Sequence, residues 1–194
     1  MNNSALALRS PATLVVVHRQ PLLFPILLAT LFGAARRRRT YVSDAICVFQ
    51  VGNASGSVTF HQDPFSFVRL HGNITRLPQG KHGFHVHEYG DLSDGCLSTG
   101  PHFNPYGMNH GAPTADVRHV GDLGNIIADE NGSAVFNMSD HLLKLNGNNS
   151  IIGRAVVVHA DADDLGCGGN NDSLKTGNAG SRLTCCVIGI RKNS

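Results

Sequence analysis

The chain has 194 residues and a formal net charge of +2 at pH 7, with 22 glycines and no tryptophan. This length predicts one domain with an extension, whose core is large enough to fold without a metal or a disulfide. The near-neutral charge gives no support for nucleic-acid binding, and the glycine content favours short strands and tight turns.

The first 40 residues differ from the rest, because they contain six arginines and no acidic residue. Without them the chain has ten basic and fourteen acidic residues, a net charge of −4. Residues 21–35 are mostly apolar, too short for a typical membrane span but typical of a signal peptide. The small residues 33–35 suit cleavage, and the arginines at 36–39 suit a second processing site, although arginines directly after an apolar stretch hinder translocation.

We therefore expect a leader over residues 1–40 and a mature, secreted domain over residues 41–194. A retained membrane anchor, import into an organelle and an error in the gene model are the alternatives. Asn-x-Ser/Thr sequons are more frequent after the leader than chance would give, which favours the secretory route and a glycoprotein. The sequon asparagines are Asn53, Asn73, Asn131, Asn137, Asn148 and Asn171.

From about residue 45 the chain predicts short β-strands separated by turns, with no long stretch of helical periodicity. Turn signals include Asp63-Pro64, Asn131-Gly132 and Asn146-Gly147. The predicted strands cover residues 45–49, 56–62, 65–73, 133–139, 151–160 and 185–191. This pattern indicates an all-β domain, an antiparallel sandwich or barrel.

Two long segments interrupt the strands, at residues 89–120 and 161–180. Loops of this length in a compact domain are usually functional or disordered. The first is rich in histidine, so we expect it to be functional.

A set of histidines accompanies the first loop and its flanking strands. His85 and His87 share one face of a predicted strand because side chains alternate, although such a pair alone is weak evidence for a metal. Imidazole nitrogens suit zinc and copper, and a carboxylate can complete a zinc site. Two adjacent metal sites are possible with the further residues His102, His110, His119, Asp122 and His159. The remaining His18, His61, His71 and His141 are interpreted as ordinary polar residues.

Five motifs in order resemble the copper–zinc superoxide dismutase family: GFHVHEYGD, GPHFNP, RHVGDLGN, IIGRAVVVHADADDLG and KTGNAGSRLTCCVIGI. The resemblance extends over residues 45–190 without a large gap. It implies an eight-stranded Greek-key antiparallel β-barrel or sandwich with two long functional loops. It also implies a superoxide dismutase that converts superoxide to oxygen and hydrogen peroxide by alternate reduction and reoxidation of a bound copper, beside a structural zinc.

The resemblance implies one copper and one zinc per subunit, joined by a bridging histidine. Copper would be bound by His85, His87, His102 and His159. Zinc would be bound by His102, His110, His119 and Asp122. Asp163 would link one ligand of each metal, His85 and His110, and His82 would pack and hydrogen-bond inside the barrel.

The resemblance also assigns residues to catalysis and substrate steering. His102 would take up and deliver a proton, and Arg182 would lie beside the copper. Lys175 would line the channel and attract the superoxide anion to an otherwise acidic domain. Asn171 departs from the family, which often has an acidic residue there.

The resemblance pairs Cys96 with Cys185 in a disulfide that would attach the first long loop to the last strand. Cys47 is then expected to be a buried free thiol, and Cys167 to be exposed in a loop. Cys186 departs from the family pattern and could compete with Cys185 for Cys96. Mispairing is a further possibility in an oxidising compartment.

The resemblance also implies a homodimer, and copper supplied by a chaperone or by the secretory pathway. Tyr89 and the segments 150–153 and 187–190 match parts of the family's subunit interface, although the apolar segments could equally be core strands. A copper-delivery protein is a rival, but the chain lacks the Cys-x-x-Cys of an added metal-binding domain. A catalytically inactive binding domain is a second rival, and it predicts eroded ligands, whereas all seven are present.

Overall fold

The structure, a computed structural model, describes residues 41–192, which form a domain of β-strands. The expected leader therefore lies outside the described residues. The strands are β1 (Asp44–Phe49), β2 (Ser55–His61), β3 (Val68–Thr75), β4 (Gly80–His87), β5 (Asp122–Ala128), β6 (Ala134–Asp140), β7 (Ala155–His159), β8 (Arg182–Val187) and β9 (Gly189–Ile190). Helical structure in this range is limited to a 3-10 turn, Leu97–Thr99, and α1, Ser173–Thr176. None of the described helices is long and apolar enough to span a membrane.

The strands form two antiparallel sheets, with the orders β6-β3-β2-β1-β9 and β5-β4-β7-β8. The predicted all-β fold with eight main strands is confirmed. One difference is that the last strand is divided at the buried Ile188. Its first part pairs with β7, and Gly189–Ile190 pairs with β1 in the other sheet. The last strand therefore passes from one sheet to the other and joins their edges.

The alternation of side chains along β4 directs one face of the strand into the core between the sheets and places His85 and His87 on the other face. On β4, Phe84 and Val86 are fully buried in the main apolar core. His85 and His87 point to the opposite face, as the period of two requires. That face is buried as well, because the long loop after β4 covers it.

The first long loop is attached to the barrel by the predicted Cys96–Cys185 disulfide, which is confirmed with a Cα–Cα distance of 5.7 Å. Cys96 and Cys185 pack with Val157 of β7 in a small second core outside the sheet. This attachment fixes the loop segment that passes beside Arg182.

The expectation that Cys47 is a free thiol is wrong, because Cys47 forms a disulfide with Cys186 at a Cα–Cα distance of 5.4 Å. Consecutive residues of a strand point to opposite faces, so Cys185 faces the loop while Cys186 faces the core. Competition between Cys185 and Cys186 for Cys96 is therefore also wrong. Cys167 is exposed and is the only free cysteine among the described residues, as expected.

Two predicted strands begin later than expected. Phe65 has a φ of 65° in an exposed turn, and β3 begins only at Val68. Ile151 lies before β7 in a turn, yet its side chain is fully buried in the core. In both segments the apolar residues led to a strand prediction, although neither residue lies in a strand.

Candidate metal centre

The two histidines of β4 lie close to His159, the last residue of the neighbouring strand β7. Phe84 pairs with Val158 in the ladder between β4 and β7, and the pairing of β7 with β8 shifts in register between Val158 and His159. A Cβ added to Gly83 would lie 2.7 Å from the Cβ of Ala179, so the loop after β7 approaches closely only because residue 83 has no side chain. These local features bring histidines from distant parts of the sequence together.

The first cluster consists of four buried histidines whose ligand atoms lie within 4.8 Å of one another: His85, His87, His102 and His159. The Nε2 atoms of His87 and His159 are 3.2 Å apart. The outer Nδ1 atoms of the same two rings lie 2.8 Å from the Gly100 carbonyl oxygen and 3.2 Å from that of Gly180. These contacts fix each ring so that Nε2 faces the centre of the cluster.

The second cluster shares His102 with the first and adds His110, His119 and Asp122. Asp122 Oδ1 lies 2.9 Å from Nδ1 of His102, 3.0 Å from Nδ1 of His110 and 3.1 Å from Nδ1 of His119. Ligands about 2.0 to 2.1 Å from a tetrahedral zinc would be separated by about 3.3 Å. The four atoms are therefore close to the spacing of a zinc site.

Three buried ring nitrogens in these clusters make no hydrogen bond to any described residue: His85 Nδ1, His102 Nε2 and His110 Nδ1. His110 Nδ1 is close to Asp122 Oδ1, at 3.0 Å, but the two atoms do not have hydrogen-bond geometry. An unsatisfied buried polar atom costs about 1 to 3 kcal/mol, so a native fold rarely retains three of them together. Coordination to an ion would satisfy all three. The residues therefore fit two adjacent metal ions, and His102 is the residue that the two clusters share.

The first cluster is in the protonation state that binds metals. Burial lowers the pKa of His85 and His87 well below the ordinary value, lowers that of His102, and lowers that of His159 to about 4. All four rings are thus neutral near pH 7, with a lone pair free for coordination.

Carboxylate charge has the opposite effect in the second cluster. Burial alone would lower the pKa of His110, but Asp122 and Asp163 raise it to about 9. Burial would likewise raise the pKa of Asp122, but its close contacts with the rings of His102, His110 and His119 hold this pKa well below its usual range. A divalent cation is therefore the natural partner for this ionised carboxylate.

Asp163 lies between the clusters, and each of its oxygens is bonded to one histidine. Oδ1 is 2.7 Å from His110 Nε2, and Oδ2 is 2.9 Å from His85 Nε2. Asn125 holds the backbone of Asp163 with two hydrogen bonds of 2.8 and 2.9 Å. Such outer hydrogen bonds fix the ring orientation of metal ligands. The sequence did not single out Asn125, and its only signal was its place in the RHVGDLGN motif.

A second residue that the sequence did not identify is Arg118, which is fully buried beneath the second cluster. Its guanidinium donates to the backbone oxygen of Asp122 at 2.5 Å and to the carboxylate of Asp140. Asp140 also accepts hydrogen bonds from the backbone of the loop after β6. This network connects Asp122 to the first sheet.

The first cluster opens into a pocket of about 820 Å³, whose lining includes His87, His159, Lys175 and Arg182. The Arg182 guanidinium donates to the carbonyl oxygens of Cys96 and Gly100, at 2.6 and 2.8 Å. These bonds and the nearby disulfide hold its charge beside the cluster. Lys175 lies at the end of α1 on the wall of the same pocket.

The other histidines lie away from the clusters. His82 lies inside the barrel, where its ring bonds to the carbonyl oxygens of His159 and Pro78, as the resemblance implied. His61 and His71 bond to polar side chains on the outside of the first sheet, and His141 packs against Phe67. His18 lies outside the described residues.

Comparison with known proteins agrees with the family that the sequence motifs resemble. The family model for copper/zinc superoxide dismutase (SODC) matches residues 54–188. A superoxide dismutase [Cu-Zn] of Paramecium bursaria Chlorella virus 1 is 56% identical over 151 residues, 77% of this chain and 80% of that protein. An extracellular superoxide dismutase [Cu-Zn] of Brugia pahangi is 52% identical over 160 residues, 80% of each. The crystal structure of the clock protein EA4 superposes with a TM-score of 0.76 at 52% identity and covers 78% of this chain and 97% of that one.

Proposed function

Because the chain belongs to the copper/zinc superoxide dismutase family, and is a superoxide dismutase with copper and zinc as cofactors, we propose that the two clusters divide these ions between them. Copper is assigned to His85, His87, His102 and His159. Zinc is assigned to His102, His110, His119 and Asp122. The observation that supports this assignment is the convergence of buried ring nitrogens that have no hydrogen-bond partner among the described residues.

Copper, when bound, supplies the one-electron exchange with superoxide that yields oxygen in one half-reaction and hydrogen peroxide in the other. The protein has to hold a proton close to the reacting anion. His102 suits this task because its Nε2 faces the first cluster, while its Nδ1 is held 2.9 Å from Asp122. We assign to His102 the proton that is held at Nε2 when this atom is not coordinated.

Arg182 binds and orients the anion in this proposal, and Lys175 attracts it. The guanidinium of Arg182 is fixed by carbonyl oxygens, so it presents charge to the pocket without having to reorganise. Because residues 41–194 carry a net charge of −4, local positive charge at the pocket is what draws in an anionic substrate.

The assignment of ligands is tested by metal analysis of single variants. His119→Ala removes a ligand of the zinc site alone, so we expect it to lose zinc and to retain copper. His87→Ala should show the reverse, and His71→Ala, which removes an exposed ring on β3, should retain both ions. Loss of both metals to the same extent in each cluster variant would contradict the division.

We propose that the protein is a homodimer. Tyr89, Val187 and Ile190 expose large apolar side chains, by 52%, 38% and 64%. Val187 and the glycine at 153 both lie against Gly90, the residue that follows Tyr89. Light scattering should give a dimer mass for the wild type and a monomer mass for Ile190→Glu, whose side chain does not contribute to the core. A monomeric wild type would contradict the proposal.

We also propose that residues 1–40 are a leader and that the mature domain, residues 41–194, acts outside the cell. The extracellular relative, the two disulfides and the six sequons support a secretory route. On this route the secretory pathway itself, or a chaperone, supplies the copper, and sequon asparagines carry sugars. Sequencing of the mature N-terminus tests the leader, and a chain retained in a membrane or an organelle would contradict it.

A further inference from the structure

Asn171 is the one sequon asparagine that lies in the loop between β7 and β8, next in sequence to residues that line the metal pocket. Its neighbour Asp172 and the following residues Leu174 and Lys175 line the pocket. Asn171 itself is exposed, and the side-chain hydrogen bonds of this segment within the described residues involve its neighbours Asn170 and Ser173 instead. A group attached to its Nδ2 would therefore stand in solvent directly beside the pocket mouth.

We propose that Asn171 carries an N-linked oligosaccharide that screens the pocket from bulky molecules. This proposal rests on the secretory route proposed above. The new bond joins Nδ2 to C1 of the first sugar, while the bond from that carbon to the pyrophosphate of a lipid-linked oligosaccharide donor breaks. The displaced amide proton leaves with the pyrophosphate, and no atom changes its oxidation state.

Ser173, the third residue of the sequon, determines when the sugar can be added. Its side chain is fully buried, its hydroxyl donates to Asp164 Oδ1 at 2.8 Å, and it accepts from the backbone N–H of Gly168 at 2.9 Å. In the folded loop this hydroxyl is not accessible to a transferase. Attachment therefore precedes folding of the loop, as it does for a chain that is modified while it enters the secretory pathway.

Two of the other sequon asparagines, Asn137 and Asn131, have surroundings that differ from those of Asn171. Asn137 is exposed on β6, but its Oδ1 lies 2.9 Å from Nδ1 of His71, so its side-chain amide is already engaged. Asn131 is exposed in the turn after β5, whose opposite end carries Asp122. A seven-residue strand is roughly 20 Å long, so a sugar on Asn131 stands far from the pocket. Asn131 is therefore a matched control for Asn171.

An oligosaccharide at Asn171 would act by size. The pocket of about 820 Å³ is open to solvent. A diatomic anion is small compared with this opening, so a sugar chain at its edge would leave room for the anion to enter. A large planar chelator has to enter the same mouth and would collide with the sugar. We expect the sugar to slow the removal of copper by a bulky chelator and to leave the binding of a small anion unchanged.

The test uses the full chain secreted from eukaryotic cells, as wild type, Asn171→Gln and Asn131→Gln. Glutamine is preferable to enzymatic removal of the sugar, which leaves an aspartate and adds charge near Lys175. Ser173→Ala is unsuitable because it breaks the two buried hydrogen bonds of that residue. Mass spectrometry of the loop peptide measures occupancy. Copper extraction by bathocuproine disulfonate with ascorbate, compared with cyanide binding, measures screening.

We expect the Asn171 peptide of the wild type to carry the mass of a sugar. Copper should be extracted several-fold faster from Asn171→Gln than from the wild type, and equally fast from Asn131→Gln and the wild type. Cyanide binding should be equal in all three proteins. An unmodified Asn171 in a secreted protein overturns the inference and leaves the secretory route intact if Asn131 is glycosylated. An unmodified chain retained inside the cell overturns both. Equal extraction rates from a glycosylated wild type and Asn171→Gln overturn the screening role.

Discussion

The Cys47–Cys186 disulfide makes a contribution to stability that depends on its neighbour, because Cys185 and Cys186 are adjacent. The two disulfides span sequence separations of 139 and 89 residues. With Cys96–Cys185 closed, the loop that remains for Cys47–Cys186 runs from Cys47 to Cys96 and across one peptide bond. In the chain-entropy description, a loop of about 50 residues stabilises by about 4 kcal/mol, compared with about 5 kcal/mol for 139 residues.

We therefore expect the double variant Cys47→Ala/Cys186→Ala to lose about 4 kcal/mol of unfolding free energy in the metal-free protein. For a domain of this size that loss corresponds to a fall of roughly 8 to 16 °C in Tm. Urea unfolding and calorimetry of the metal-free protein measure both quantities without a contribution from metal binding. Replacing both cysteines prevents an unpaired thiol from attacking the remaining disulfide.

Cys167→Ala is the control, since Cys167 is exposed and unpaired within the described residues. It should leave the unfolding free energy unchanged. A loss below about 1 kcal/mol in the double variant would show that the cross-link does not restrict the unfolded chain, and the loop-closure reasoning would be refuted.

Three further predictions concern the metal centre. Asp163→Ala removes the hydrogen-bond acceptor of His85 in the first cluster and of His110 in the second. We expect metal affinity, measured in competition with a chelator, to fall by about 10- to 100-fold. Unchanged affinity would contradict the role of Asp163 in orienting these rings. Arg182→Ile should slow superoxide removal by about tenfold or more at low ionic strength and weaken its dependence on salt, and a salt dependence equal to that of the wild type would exclude steering by Arg182. The metal-free protein should lose stability as the pH falls from about 6.5 to about 4, because His159, with a folded pKa of about 4, takes up its proton only on unfolding. The raised pKa of His110 gives a stabilisation that is lost mainly as the pH rises from about 6.5 to about 9, outside the range of this test. An unfolding free energy that stays constant in urea at pH 6.5, 5 and 4 would therefore contradict the lowered pKa of His159.

The strands and the two long loops were predictable because they depend on local signals. Alternation placed His85 and His87 on one face of β4, and the structure has them there, opposite Phe84 and Val86. The convergence of these histidines with His159 followed only from the family resemblance, because no local pattern reports which strands become neighbours.

The errors came from features that depend on three-dimensional surroundings. Cys186 was expected to compete for Cys96, because the sequence does not show that its face of β8 meets Cys47 of β1. Ile151 was placed in a strand because a buried turn and a buried strand have the same apolar composition. The supporting roles of Arg118 and Asn125 were not visible, because one polar residue in a motif carries no signal for the backbone groups that it bonds.

The most direct test of the central claim is the rate of superoxide removal by the fully metallated wild type and by His159→Ala, followed by pulse radiolysis with free copper as the reference. His159 is a ligand of the proposed copper site alone, and its ring is held in place by the backbone of Gly180. We expect the wild type to remove superoxide much faster than the same concentration of free copper, and His159→Ala to lose most of this advantage. A wild-type rate no higher than that of free copper, or an unchanged rate in His159→Ala, would contradict the claim.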